Sequence, residues 1–128
     1  GHLHEMMDVK LSCRIEAEKV PRIEEALAYA DEFLLTAAGQ KNRNHVEKYV
    51  KFKNIPFALE ELLFDPQTSG GLLFAVGADE AESLKKELRA AGLPAEIVGE
   101  IVERTEPEIL IVEGDSQVII YKEGSHFL

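Results

Sequence analysis

The chain has 128 residues, 45% of them hydrophobic and 30% charged, and its formal net charge is −10. This length fits a single domain with its own core, so neither a disulfide nor a structural metal is required. The negative charge argues against nucleic-acid binding, because proteins bind duplexes by neutralising phosphates with Lys and Arg. The longest apolar runs are far shorter than the roughly 20 residues that span a bilayer, and the N-terminus carries no secretory signal. The single Cys13 fits a reducing cytosol, so we expect a cytoplasmic protein.

The N-terminal segment predicts a helix followed by a strand. Leu3, Met6 and Met7 have the spacing of one helical face, although Gly1 is no N-cap. This abrupt start predicts either a disordered start that frays into this turn or, the interpretation we favour, a chain cut inside an element. Residues 9–17 then alternate between apolar and polar, which predicts a half-buried strand. Its inner face would hold Val9, Leu11, Cys13 and Ile15.

The next segment predicts two helices separated by a loop. Pro21 suits the first position of an amphipathic helix that extends to Leu34. Residues 36–50 have no clear period and are polar in the middle, so they read as a long loop. A short extended piece follows, and then a helix that begins near Pro56 and directs Leu59, Leu62 and Leu63 inward.

The second half of the chain predicts mostly strands. The apolar run 72–76 suits a buried strand, and a helix follows with Asp79 as N-cap, Leu84 and Leu88 as its buried stripe, and Gly92 at its end. Residues 95–103, 108–112 and 116–122 read as strands, the last two joined by a hairpin at 113–115. The mixed order of elements predicts an α+β fold, a single domain with helices packed on a mixed sheet.

The sequence DPQTSGG at 65–71 is the richest loop in the chain. Pro66 fixes one φ angle, whereas Gly70 and Gly71 permit positive φ and a close approach to the backbone. Thr68 and Ser69 add hydroxyls, so the N–H groups of 68–71 suit an anion nest. The loop lacks the ending of a Walker A motif and the spacing of a dinucleotide fingerprint. An ordinary turn explains the same residues equally well at this point.

Other residues give fewer indications of a site. Lys41 and Arg43 suit an anion, with Asn42 or Asn44 orienting it, but a solvated loop is the simpler interpretation of 39–44. His2 and His4 point to different faces of a helix, and His45 and His126 stand alone, so no metal-binding set is predicted. Cys13 alternates inward as a core residue. None of these residues has an evident base partner, so no catalytic residue is assigned.

The motif DPQTSGGLL at 65–73 resembles the signature of the C-terminal domain of selenophosphate synthetases (selenide, water dikinases). GHLHEM at 1–6, AAGQKNRN at 37–44 and EIVGEIV at 96–102 are similar to further family segments in the right order. The resemblance implies the layered α/β sandwich, with a mixed sheet, of the aminoimidazole ribonucleotide synthetase C-terminal domain. The catalytic Cys or selenocysteine, its partner Lys and the aspartates that bind metal and nucleotide belong to family segments that nothing in this chain matches.

The resemblance implies that 1–128 is one domain of an enzyme that converts selenide, ATP and water into selenophosphate, AMP and phosphate with magnesium. Thr68, Ser69, Gly70, Gly71, Asn44 and Arg43 would then bind substrate or phosphate beside an absent N-terminal ATP-binding domain. It further implies a homodimeric full-length enzyme, a fragment inactive by itself, and neither ATP nor magnesium tightly bound to the fragment. The alternatives are another synthetase or kinase of the same superfamily, for purine, hydrogenase or thiamine-phosphate chemistry, or a stand-alone binding or dimerisation module.

Overall fold

The computed structural model describes residues 1–66 and 70–113, and the backbone of 125–127. Its elements are α1 (His2–Met6), β1 (Leu11–Glu16), a 3₁₀ turn (Ala17–Lys19), α2 (Glu24–Asp31), α3 (Ala37–Val46), β2 (Val50–Lys53), α4 (Phe57–Phe64), β3 (Ala75–Gly77), α5 (Ala78–Ala90), β4 (Gly99–Glu103), β5 (Ile109–Val112) and β6 (Ser125–Phe127).

The strands form one mixed sheet in the order β2-β5-β1-β4-β6-β3. Strand β5 runs parallel to β1 and β2. Strand β4 is antiparallel to β1 and β6, and β3 is antiparallel to β6. The helices and this sheet confirm the predicted α+β class. The predicted strand 116–122 and the hairpin before it lie outside the described residues.

The core lies on one face of the four strands at the β2 end of the sheet. Residues that lie in register on neighbouring strands share a face of the sheet. Two rows of such residues run across the four strands: Val50–Ile109–Cys13–Ile101 and Phe52–Ile111–Ile15–Gly99. Leu59 of α4 is buried against them. Half-buried side chains from α1, α2 and α4 complete this core: Leu3, Leu27, Leu62 and Leu63.

The predicted inner face of β1 is only half right. Cys13 and Ile15 are buried, but Val9 precedes the strand and is 82% exposed, and Leu11 is also exposed. The reason is the register of the sheet, because β5 pairs with β1 only from Cys13 onward. Side chains of β5 therefore flank Cys13 and Ile15 but not Leu11. Leu11 therefore has a strand on one side alone in the described pairing.

Helix α2 is shorter at both ends than the predicted 21–34. Ile23 is extended (φ −77°, ψ 122°), so the helix begins at Glu24. The acidic side chains of its first turn lie where the helix dipole favours them. The helix ends at Asp31 because Phe33 adopts a positive φ of 59°.

The predicted loop 36–50 is wrong, because Ala37–Val46 forms helix α3. Within this helix only Gly39 and Val46 are buried. A helix that buries so little apolar surface leaves no hydrophobic period in the sequence, which is why the periodicity did not show it.

The apolar run 72–76 is not a buried strand either. Only Ala75–Gly77 is strand, at the end of the sheet order, and Leu72 is 79% exposed, although Leu73 packs on the core. Helix α5 is capped by Gly77 rather than Asp79, and its C-terminal end at Gly92 is confirmed. Strand β4 begins at Gly99 rather than at 95.

Candidate functional site

The N-terminal end of α3 is joined to the first residue of the DPQTSGG loop. The Thr36 hydroxyl accepts a hydrogen bond from the Gly39 N–H at 3.0 Å, which is the usual geometry of an N-cap. The same hydroxyl donates to Asp65 Oδ1 at 3.0 Å. One side chain therefore caps the helix and holds the point where the chain leaves α4 and enters the loop.

A second contact fixes α3 against the C-terminal end of α4. Asn42 Nδ2 donates to the Phe64 carbonyl oxygen at 2.9 Å, which satisfies one of the carbonyls that a helix end leaves without an intrahelical partner. Gly39 is buried at this contact, and a Cβ there would lie 3.2 Å from Thr36 Oγ1 and 3.8 Å from the Phe64 oxygen. A side chain at 39 would therefore crowd the Thr36 hydroxyl that caps α3, while its Cβ would make only an ordinary van der Waals contact with α4. We call Thr36, Gly39, Asn42, Phe64 and Asp65 the α3/α4 junction.

Arg43 lies one residue beyond Asn42 and is bound inside the domain. Its Nε donates to Glu61 Oε1 at 2.6 Å and its Nη2 to Glu60 Oε2 at 2.9 Å. The guanidinium carbon lies 4.7 Å from the centroid of the Phe64 ring and 5.6 Å from that of Phe57. Ion pairs and aromatic faces therefore hold the guanidinium, and these contacts stabilise the packing of α3 on α4.

The other residues predicted for the site are placed as follows. Gly70 and Gly71 are exposed, and Thr68 and Ser69 lie outside the described residues. Asn44 is exposed and accepts a hydrogen bond from Gln40 Nε2 at 2.9 Å. It lies about 12 Å along α3 from Thr36, at 1.5 Å per residue. The capped end of α3, rather than Asn44, therefore adjoins the start of the loop.

The chemistry of this region suits an anion. The first N–H groups of a helix have no intrahelical acceptor, and the helix dipole makes this end positive. Asp65 lies at this end of α3. The exposed Gly70 and Gly71 follow it in the same loop, and glycines allow an oxyanion to approach the backbone closely. Within 1–66 and 70–113, no group of three or more His, Cys, Asp or Glu side chains is arranged to hold a metal ion.

A cluster around His4 lies elsewhere, and sequence reasoning missed it. The His4 ring stacks on Tyr49 with centroids 4.1 Å apart, and the His45 ring meets it edge-on at 6.5 Å. His45 is therefore not isolated, contrary to the prediction. His4 Nδ1 lies 2.5 Å from Glu108 Oε1, and Arg104 Nη1 donates to the other Glu108 oxygen at 2.8 Å.

The pKa values of two buried groups, Glu108 and Cys13, are shifted from their ordinary values. Burial opposes ionisation of Glu108, but the hydrogen bonds and charges of His4 and Arg104 outweigh it and lower the pKa of this carboxyl. Burial, with the nearby Glu108 charge, raises the pKa of the Cys13 thiol to about 12. A thiol with that pKa is not a nucleophile at neutral pH, in agreement with the interpretation of Cys13 as a core residue.

Some of the missed residues left signals in the sequence. Thr36 precedes Ala37 and Ala38, which is an N-cap followed by good helix formers. The partners of Arg43, Glu60 and Glu61, are adjacent in sequence but 17 and 18 residues away from it. No local pattern identifies such a pairing, because it depends on how α3 packs on α4.

The chain belongs to a known class of domains. The family described as AIR synthase related protein, C-terminal domain, matches residues 1–112, and the chain belongs to this family. Among the helices of the described residues, none is long and apolar enough to cross a membrane.

The individual relatives carry one name. The chain is 56% identical over 112 residues to the selenide, water dikinase of Agathobacter rectalis, which covers 87% of this chain and 33% of the relative. It is 42% identical over 111 residues to that of Desulfitobacterium hafniense strain Y51, and 43% identical over 114 residues to that of Pelobacter propionicus, with the same coverage. The chain spans about a third of the length of the curated relatives it matches.

Proposed function

We propose that this chain is the C-terminal domain of a selenophosphate synthetase, an enzyme that converts selenide, ATP and water into selenophosphate, AMP and phosphate. The observation that carries the proposal is the 56% identity with a selenide, water dikinase over 112 residues. The motif DPQTSGG supports it over the other synthetases and kinases of the superfamily. Since the relatives are about three times longer, the ATP-binding part belongs to an N-terminal domain outside this chain.

In this proposal the domain forms one wall of the phosphate site. Phosphoryl transfer is accelerated mainly by positioning and by preorganised donors that stabilise charge on the transferring group. Thr68, Ser69, Gly70 and Gly71 would supply backbone N–H groups and hydroxyls, and Asn44 and Arg43 side-chain donors. The junction supports the loop residues, because Thr36 holds Asp65 at the start of the loop. Arg43 would have to share its guanidinium between the phosphate and its two carboxylate partners.

Magnesium would accompany ATP in the full-length enzyme. The described groups near the loop are mainly amide and hydroxyl donors and glycine backbone, which suit phosphate oxygens. Magnesium prefers carboxylate and phosphate oxygens. The two glutamates nearest Arg43 are already paired with it. Asp65 is the carboxylate of the loop itself, and its Oδ1 already accepts a hydrogen bond from the Thr36 hydroxyl. We therefore assign no magnesium ligand and derive no step through this ion.

The proposal is tested by co-expressing this chain with the N-terminal two-thirds of the A. rectalis relative and measuring AMP released from ATP. We expect selenide-dependent AMP from the combined halves and none from this chain alone. Calorimetry of the isolated chain should show only weak ATP binding. Micromolar affinity for ATP, or a purified complex that releases no AMP with selenide, would contradict the assignment.

The loop is tested by the double variant Thr68→Ala/Gly71→Ala in the same complex. We expect AMP formation to fall at least tenfold, because Thr68→Ala removes a hydroxyl donor and the methyl group at 71 hinders the close approach of a phosphate to the backbone. A Cβ at Gly71 meets nothing within 4 Å, so the fold should persist. Ser83→Ala, on the exposed face of α5, is the matched control and should keep the wild-type rate. An unchanged rate in the loop variant would remove the loop from the mechanism.

The assembled enzyme is proposed to be a cytoplasmic homodimer. Gel filtration of the co-expressed complex with light scattering tests the dimer directly. A mass equal to one copy of each half would show that the complex is not dimeric.

A further inference from the structure

An apolar patch lies exposed where α2 ends and α4 begins. Phe33 is 73% exposed, Leu34 63%, Tyr29 57% and Phe57 52%. The rings of Phe33 and Phe57 are 6.2 Å apart, so both helices contribute to the same surface. Single exposed apolar side chains are ordinary, but adjoining ones of this size mark interaction sites. We call Tyr29, Phe33, Leu34, Leu35 and Phe57 the Phe33 patch.

The backbone of Phe33 is held in a conformation that suits glycine. Its φ is 59°, and its N–H donates to the Ala30 carbonyl, while the Leu34 N–H donates to the Tyr29 carbonyl. These two bonds define a Schellman motif, whose left-handed position is usually glycine. Helix α5 ends with the same pair of bonds, and there the position is Gly92 (φ 82°).

A phenylalanine at that position is unfavourable for two separate reasons. An L-residue with a side chain is strained there, and this side chain also exposes a large ring to water. Strain that the isolated fold does not require is characteristic of functional positions. The bulky ring at Phe33 is therefore better explained by a surface that contacts it than by the stability of α2.

We propose that the Phe33 patch is the surface on which the N-terminal part of the polypeptide docks. This inference rests on the proposed function. The relatives are about three times as long as the matched segment, so in the proposed function about two-thirds of the polypeptide lies outside this domain and is available to pack against it. Interfaces between domains of one chain bury roughly 600–1,500 Å², and the aromatic and aliphatic anchors of the Phe33 patch suit the centre of such an interface.

Charge disfavours a second copy of the chain as the occupant of the patch. Asp31 and Glu32 are exposed and directly precede Phe33, and the whole chain carries a net charge of −10. Two copies packed patch to patch about a twofold axis would bring these carboxylates together, and like charges across an interface are unfavourable. A partner with an apolar centre and basic groups at its rim fits better.

The patch is continuous with the α3/α4 junction. Leu34 and Leu35 immediately precede Thr36, which caps α3 and bonds Asp65. Phe57 of the patch and Phe64 of the junction both pack on Arg43. A domain docked on the patch would therefore lie beside the start of the DPQTSGG loop.

The test uses a full-length chimera in which this chain replaces the C-terminal third of the A. rectalis relative. Hydrogen exchange compares residues 29–35 in the chimera with the same residues in the isolated chain. We expect at least tenfold slower exchange in the chimera, and we expect Phe33→Gly to abolish most of this difference. Because glycine relieves the positive φ, Phe33→Gly should leave the melting temperature of the isolated chain unchanged or higher.

Ile23→Ser is the matched control, because Ile23 is also 73% exposed but lies at the other end of α2. It should retain the slower exchange. Equal exchange of 29–35 in chimera and isolated chain, or protection that survives Phe33→Gly, would overturn the proposal. Protection of the isolated chain that rises with its concentration would assign the patch to a second copy and would also overturn it. AMP release is measured separately, so a chimera protected at the patch but inactive with selenide refutes the proposed function alone.

Discussion

Replacing Arg43 with methionine tests whether the guanidinium stabilises the domain. Arg43 donates to Glu61 at 2.6 Å and to Glu60 at 2.9 Å. The Glu61 side chain is only 3% exposed, whereas those of Arg43 and Glu60 are about a fifth exposed. Methionine retains much of the packing volume beside the phenylalanine rings and removes the charge. The variant therefore leaves the buried Glu61 carboxylate without the Arg43 guanidinium that pairs with it.

The expected magnitude follows from that burial. Removing one partner of a buried ion pair destabilises a protein by roughly 3–5 kcal/mol, because the remaining charge is uncompensated. The contact with the more exposed Glu60 adds little, about 0–1 kcal/mol. Replacing both buried partners by apolar residues is often close to neutral. We therefore expect Arg43→Met to lose about 3 kcal/mol or more, and Arg43→Met/Glu61→Leu to recover most of that loss.

The assay is urea unfolding of four proteins: the wild type, Arg43→Met, Glu61→Leu and the double variant. The free energies of unfolding form a double-mutant cycle, whose coupling term we expect to be about 2–3 kcal/mol. Arg43→Met within about 0.5 kcal/mol of the wild type, or additive losses in the double variant, would refute the structural role. Such a result would leave Arg43 available to a bound phosphate.

Three further predictions concern the sheet, the junction and the buried acid. Gly99→Ala should destabilise the domain by about 2 kcal/mol or more in urea, since its Cβ would clash with the Arg14 carbonyl oxygen. Wild-type stability would contradict this close contact. Thr36→Ala should lose about 1 kcal/mol by removing the N-cap, while Thr36→Ser should lose much less; equal losses would show that the hydroxyl is not what matters. The pKa of Glu108 in the folded protein is lower than its ordinary value of 4.5. The stability that its ionised carboxylate contributes is therefore complete above pH 4.5 and is lost as the pH falls through the lowered pKa. The stability difference between wild type and Glu108→Gln should therefore shrink in urea titrations below pH 4.5, and a constant difference would contradict the linkage.

The sequence pattern predicted those helices and strands whose buried side chains recur at a regular spacing. Cys13 and Ile15 alternate inward on β1, and Leu59 faces the core from α4, because each lies on an element with one buried face. Gly92 ends α5 as predicted, since a left-handed residue has a strong local signature. The α+β class followed from the order of such elements.

Helix α3 is the clearest failure of the same reasoning. Its segment looked like a polar loop because the helix buries only Gly39 and Val46. What stabilises it is a set of contacts with α4, including the Asn42 bond to the Phe64 carbonyl. These contacts join residues about 20 positions apart, so no window of sequence contains them.

The class of fold and the inward positions of Cys13 and Ile15 follow from the chain alone, because alternation and side-chain size are local properties. The loop to which the phosphate site is assigned was singled out by its resemblance to a family motif. The folded arrangement alone shows that Thr36 holds the start of the loop, that Arg43 is paired with Glu61, and that Phe33 is exposed beside Phe57. Each of these depends on how α2, α3 and α4 pack together, and packing between distant segments has no local signature in the chain.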